Sequence, residues 1–131
     1  MRTLQAILDR KRERRLKLEQ ALAHVAAQLA ALGAEKVILF GSVARGDIGP
    51  GSDLDLLAIM PPSRSGHKWS QTIYAQVDRG VACDILVYTP DELRENLPVS
   101  ALLRRILKEG VVVYEAESAR GSPPLADPRP G

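Results

Sequence analysis

The stretch Val37-Ile38-Leu39-Phe40-Gly41-Ser42-Val43-Ala44-Arg45-Gly46-Asp47, continuing to Ser52-Asp53-Leu54-Asp55-Leu56-Leu57, decides how the rest of the chain is read. An apolar run, Val37 to Phe40, leads directly into Gly41-Ser42. Ten residues later Asp53-Leu54-Asp55 opens a second apolar run that lasts to Met60. Glycine and serine after a strand supply a turn whose backbone N–H groups can face an anion. Aspartates at i and i+2 on a strand point to one face, because side chains alternate. A phosphate cradle and a pair of carboxylates thus fall on consecutive strands. That combination can hold a nucleoside triphosphate and divalent metal.

Each run has a definite pattern. Residues 36 to 40 form a strand whose nearly unbroken apolar character implies burial on both faces. Residues 42 to 45 form a short helical turn, and 46 to 52, rich in glycine and proline, a loop. In the strand from 53 to 60, Asp53, Asp55, Leu57 and Ile59 share one face; Leu54, Leu56, Ala58 and Met60 share the other. Two aspartates opening an apolar strand are costly unless they stay at its wet end or bind a cation. A third carboxylate, Asp84, interrupts another apolar run, Val81 to Tyr88. If that strand neighbours the one carrying Asp53 and Asp55, the three carboxylates meet at one end of a sheet. Together they repel, which a divalent metal relieves. The plainer alternative for Asp84 is pairing with an arginine or capping a backbone group.

Upstream, residues 3 to 32 read as one long helix. Leu18, Leu22, Val25, Leu29 and Leu32 make an apolar stripe, and Gly33 is placed to cap its end. Leu4 and Leu8 continue the phase, but Lys11 and Arg15 fall on it. The second half is therefore expected to pack on the domain. The first half, with Arg10, Lys11, Arg12, Arg14, Arg15 and Lys17, is a candidate docking surface for protein or RNA. Its alternative is a solvated helix laced with charge pairs.

Downstream, Pro61 to Lys68 reads as a polar loop and Trp69 to Val77 as a helix. Trp69, Tyr74 and Tyr88 are read mainly as core, with Tyr88 also a candidate neighbour of the nucleotide. Thr89-Pro90-Asp91-Glu92 has the pattern of a helix start: an N-cap threonine, proline at the first position and a capping-box glutamate. That helix runs to about Asn96. A further helix spans Val99 to Glu109, and a short strand spans Val111 to Tyr114. From residue 117 onward the composition shifts to Ser, Pro, Gly and Arg, with four of nine prolines beyond residue 122. Disorder is expected there. The reading is one α/β (α+β) domain, residues 1–116, with a single mixed sheet of about four strands and flanking helices.

Composition narrows the function classes. A chain of 131 residues leaves little room for a second domain. Its net charge of +2 is too small to indicate nucleic acid by itself. One cysteine, Cys83, rules out an internal disulfide framework and reads as a packed thiol. No run has the apolar length of a membrane span or signal peptide, so a cytoplasmic protein is expected. Rival motifs fail. Gly41 to Gly46 has the outer spacing of a P-loop, but Asp47 stands where the phosphate-binding lysine belongs. Arg45-Gly46-Asp47 spells an adhesion tripeptide, without meaning in a cytoplasmic chain. His24 and His67 do not make a zinc site.

The Gly-Ser turn, the ten-residue spacer and the Asp-x-Asp strand closely resemble the signature of the DNA polymerase beta-like nucleotidyltransferases. Ala44-Arg45-Gly46-Asp47 and Ser52-Asp53-Leu54-Asp55-Leu56 resemble in particular its small prokaryotic branch, the minimal nucleotidyltransferases. The resemblance covers roughly Val37 to Tyr88. It implies that Asp53 and Asp55 bind two magnesium ions, and that Asp84 helps to activate an acceptor hydroxyl. It implies that Gly41 and Ser42 hold the β- and γ-phosphates of ATP. Arg45 either adds charge there or pairs with Asp47. Larger enzymes of the superfamily carry further domains for the acceptor, so a partner or the acceptor itself would complete this site. Minimal nucleotidyltransferases are typically paired with helical HEPN proteins, RNase toxins that they neutralise by transferring AMP to a tyrosine. The resemblance thus implies a HEPN partner and an antitoxin role. It leaves open an RNA or small-molecule acceptor, a non-catalytic binding module and a homo-oligomer.

Overall fold

In a computed structural model the fold is described for residues 3–48 and 53–117. The tail expected to be disordered lies, from residue 118, outside the described residues, as do residues 49–52 of the loop before Asp53. The described residues form helices α1 (Leu4–Ala31), α2 (Gly41–Ala44), α3 (Gly66–Gln76), α4 (Pro90–Asn96) and α5 (Ala101–Glu109). The strands are β1 (Lys36–Phe40), β2 (Leu54–Ile59), β3 (Cys83–Tyr88) and β4 (Val111–Glu115). They make one mixed sheet in the order β3-β2-β1-β4. β1 is antiparallel to both β2 and β4, while β2 and β3 run parallel. The parallel pair needs a crossover, and α3 supplies it. None of the described helices is long and apolar enough to cross a membrane.

The alternation of side chains along β2 sorts the core into two layers. Leu54, Leu56, Ala58 and Met60 pack with Leu18, Val25 and Leu29 of α1 and with Trp69 and Ile73 of α3. Leu57 and Ile59 pack on the opposite face with Leu93 of α4 and with Leu103 and Ile106 of α5. The sheet is therefore sandwiched between α1 with α3 and α4 with α5, and β2 is buried on both faces as its sequence requires.

α1 begins at the Thr3 N-cap, whose hydroxyl accepts from Ala6 N at 3.1 Å. It ends at Gly33, whose φ of +105° lets Ala34 N reach back to Leu29 O at 3.0 Å. From Leu4 to Lys17 no residue is buried; the packed half starts at Leu18. The first half is thus an exposed helix, with Asp9 3.9 Å from Arg12 and accepting from Gln5.

Two readings change. α3 starts at Gly66 rather than Trp69, because Ser65 caps it by accepting from Lys68 N at 3.2 Å. Tyr74 is not core: it is 47% exposed, with the Arg79 guanidinium 4.5 Å from its ring centre. Tyr88 ends β3 opposite Ile59, four residues beyond Asp84 and so about 13 Å along the strand from the carboxylates. Trp69 is core, and its indole N–H donates to Pro61 O at 2.8 Å.

The capping box before α4 also ties two helices together. Glu92 accepts from Thr89 N at 3.0 Å and from Gly66 N at 3.0 and 3.2 Å. These bonds hold its carboxyl below the usual range, the Thr89 backbone bond contributing most. Gly66 has no room for a side chain, since a Cβ there would lie 2.5 Å from Glu92 Oε1 and 2.7 Å from Val87 O.

Candidate active site

Strand register builds the site. Phe40 pairs with Asp55 across β1 and β2, and Asp55 pairs with Asp84 across β2 and β3. The three form a row across the sheet, with neighbouring strands about 4.8 Å apart. Asp55 is in phase with Leu57 and Ile59, so the row lies on the face that α4 and α5 cover farther along. Asp53, just before β2, has the same phase. Asp55 is half-buried, while Asp53 and Asp84 are exposed. The fold thus sets Asp55 beside Asp84 at the N-terminal ends of β2 and β3, with Asp53 two residues before Asp55.

Gly41 follows Phe40 and touches this row. Its φ is +79°, a region that favours glycine. A Cβ built on it would run into the Asp55 carboxylate. Two independent constraints, backbone conformation and the nearness of Asp55, therefore require glycine here. Beyond it the chain folds into α2 and a tight return. Asp47 N donates to Ser42 O at 2.9 Å, and Gly46 N donates to Val43 O at 3.0 Å. Ser42 thereby sits one residue from the carboxylates on a turn fixed by its own backbone. Arg45 Nε lies 3.6 Å from Asp47 Oδ2, and both side chains are largely exposed. In this structure Arg45 makes the ion pair that was one of its two expected roles.

The electrostatics follow from the register. Burial pushes the Asp55 carboxyl above the usual range, with the charges of Asp84 and then Asp53 adding to the effect. Among the described residues, Asp84 has neither the arginine partner nor the backbone contact that a structural role would supply. Also among the described residues, no three His, Cys, Asp or Glu side chains are gathered closely enough to hold a metal ion as they stand. The donor set nonetheless fits a hard divalent cation: oxygen ligands only, on one face, around an Asp55 that burial, and then its charged neighbours, make hard to ionise. Cys83, beside Asp84 but on the other face, is pushed up to about 11, chiefly by burial, and is a packed thiol as expected.

Residues 22–114 match the nucleotidyltransferase domain family. The chain belongs to that family. No curated protein and no solved structure matched it. The nucleotidyltransferase match begins at Leu22, in the packed half of α1, and ends at Tyr114 in β4. The exposed basic half of α1 lies outside it. Membership supports nucleotidyl transfer from a nucleoside triphosphate, with divalent metal as the family's general cofactor. The mixed four-stranded sheet and its flanking helices are consistent with the polymerase beta-like nucleotidyltransferase fold.

Two features of the site were not read from the sequence. One is the place of Phe40 at the end of the row. The other is the steric reason for Gly41. An apolar strand ending directly in glycine was the available signal, but only the antiparallel register of β1 with β2 shows what that glycine approaches.

Proposed function

We propose that this nucleotidyltransferase moves AMP from ATP to a hydroxyl of a protein partner, a tyrosine of a helical HEPN-type RNase, and so acts as its antitoxin. The observation that carries the reading is the pairing of Asp55 with Asp84 beside the Gly41-Ser42 turn. Asp53, Asp55 and Asp84 would hold two magnesium ions, which supply charge neutralisation for the entering and leaving oxygens. Ser42 and the backbone N–H groups of Gly41 and Ser42 orient the phosphates. Asp84, nearest the sheet edge, would take the proton of the acceptor hydroxyl.

Access favours a macromolecular acceptor. β3 is an edge strand, and Asp84 is exposed on it. A tyrosine carried by a folded partner can reach a carboxylate there, whereas a closed pocket would admit only a small molecule.

The test is incubation with radiolabelled ATP and magnesium, with and without the co-purifying partner, followed by gel and mass analysis. A labelled partner band that disappears in Asp53→Asn supports the proposal. A stable complex without label would leave a binding module, and label on RNA would move the acceptor. Asp84→Asn should keep ATP affinity while losing transfer; unchanged turnover would make Asp84 structural.

A further inference from the structure

Between α2 and α5 lies a cavity of about 200 Å³. One wall is Phe40, Gly41, Ala44 and Arg45; the other is the α5 stripe of Leu102, Arg105, Ile106 and Glu109. We propose that this cavity receives the polyphosphate tail of the nucleoside triphosphate, and that Arg105 is a binding residue for it. The inference rests on the nucleotidyltransferase reading and deepens it.

Position is the first argument. The cavity begins at the carboxylate row, since Phe40 is in register with Asp55 and Gly41 abuts the Asp55 carboxylate. From there it runs towards Gly110 and β4, away from Asp84. Displacement at the α-phosphorus is in line, so the entering oxygen and the leaving pyrophosphate lie on opposite sides. An acceptor activated at Asp84 puts the leaving group across Asp55, on the Phe40 and Gly41 side. That is where the cavity lies.

Charge is the second argument. α5 carries two consecutive arginines with different fates. Arg104 donates to Leu97 O at 2.6 Å and to Pro98 O at 3.0 Å. Arg105 has no hydrogen bond or ion pair among the described residues, is exposed and lines the cavity. A guanidinium presents a planar fork of donors that suits phosphate oxygens. Arg45 lines the opposite wall, but Asp47, 3.6 Å from its Nε, offsets its charge, which leaves Arg105 as the cation of the argument. Glu109, one turn beyond Arg105, opposes an anion and marks the far limit of the tail.

The experiment is calorimetric titration of the full chain with inorganic tripolyphosphate and magnesium, and separately with adenosine. Arg105→Ala should weaken tripolyphosphate about tenfold or more and leave adenosine unchanged. Arg105→Lys should recover part of the loss, and Glu109→Gln should bind as tightly as the parent or more tightly. Arg105 is on the exposed surface of α5, so an unchanged circular dichroism melt checks that the variant is folded. Tripolyphosphate affinity within twofold of the parent in Arg105→Ala overturns the proposal. So does a variant that loses adenosine but not tripolyphosphate, which would make the cavity a base pocket. A parent chain that binds no tripolyphosphate overturns it too. A labelled-ATP transfer assay on the same proteins separates the two levels. Arg105-dependent tripolyphosphate binding without any transfer sinks the activity reading and keeps the cavity assignment. Transfer with Arg105-independent binding does the reverse.

Discussion

Gly41→Ala separates the two reasons for glycine at the turn, and Gly46→Ala is its control. Both positions have positive φ, +79° and +84°. Alanine in that region costs about 1–2 kcal/mol of stability. For a chain of this length that is a fall in Tm of about 4–7 °C. At Gly46 the cost should end there, because an added Cβ meets nothing within 4 Å. At Gly41 the new methyl would collide with the Asp55 carboxylate and come within 3.2 Å of its Cγ. The carboxylate is the free end of a half-buried side chain, so it can rotate away with little further loss of stability. Its displacement by about 1 Å should instead cost activity about 100-fold, as misplaced catalytic groups do. The assays are a thermal melt and labelled nucleotidyl transfer on both variants. Similar melts, with activity lost only in Gly41→Ala, support the reasoning. Equal activity in the two variants would refute it, because the contact with Asp55 would then have no bearing on chemistry.

The titration of Asp55 predicts a stability gain on removing its charge. Its folded pKa is raised above 3.8, so the native state binds a proton more readily than the unfolded chain. Stability therefore falls as pH rises from below 3.8 through the folded value, and the deficit persists at neutral pH. Metal-free Asp55→Asn should melt higher than the parent at pH 7, with the gap closing in acid. A lower melt at pH 7 would mean that Asp55 is engaged by a favourable partner. Magnesium should raise the melting temperature of the parent but not that of Asp55→Asn. Glu92→Ala removes the acceptor of two backbone N–H groups and should cost about 2 kcal/mol at neutral pH. Because the Glu92 carboxyl is held low, its contribution is present above 4.5 and is lost as pH falls through the lower folded value. A denaturant midpoint that does not move at pH 7 would show that the tie between α3 and α4 carries no stability.

Much of the architecture was legible because local signals agreed with burial. The capping box at Thr89 to Glu92, the Gly33 stop and the alternation of β2 each match local physics to tertiary outcome. Asp55 and Asp84 were legible as misfits, carboxylates in apolar strands, but nothing local says that their strands pair in parallel and in register. The errors have the same root. Tyr74 directly follows the core residue Ile73, yet 100° of rotation per residue carries it to the rim, where Arg79 covers its ring. Gly66 looked like loop because glycine disfavours helix; the tight contact with Val87 and Glu92 overrides that preference.

Arg105 shows the limit most sharply. In sequence it is one of two adjacent arginines on an amphipathic helix, more than sixty residues from Gly41, and no spacing rule links them. Only the fold does so. α5 crosses the same sheet face as the carboxylates, and β4 returns beside β1 directly after it. That brings the α5 stripe against the turn after β1. On the proposed reading a short motif can specify where the reacting phosphorus sits, because Gly41 directly follows β1 and Asp53 and Asp55 stand at the start of the adjacent β2. Where the leaving group goes depends on what packs over those strands, and that is set by the whole chain.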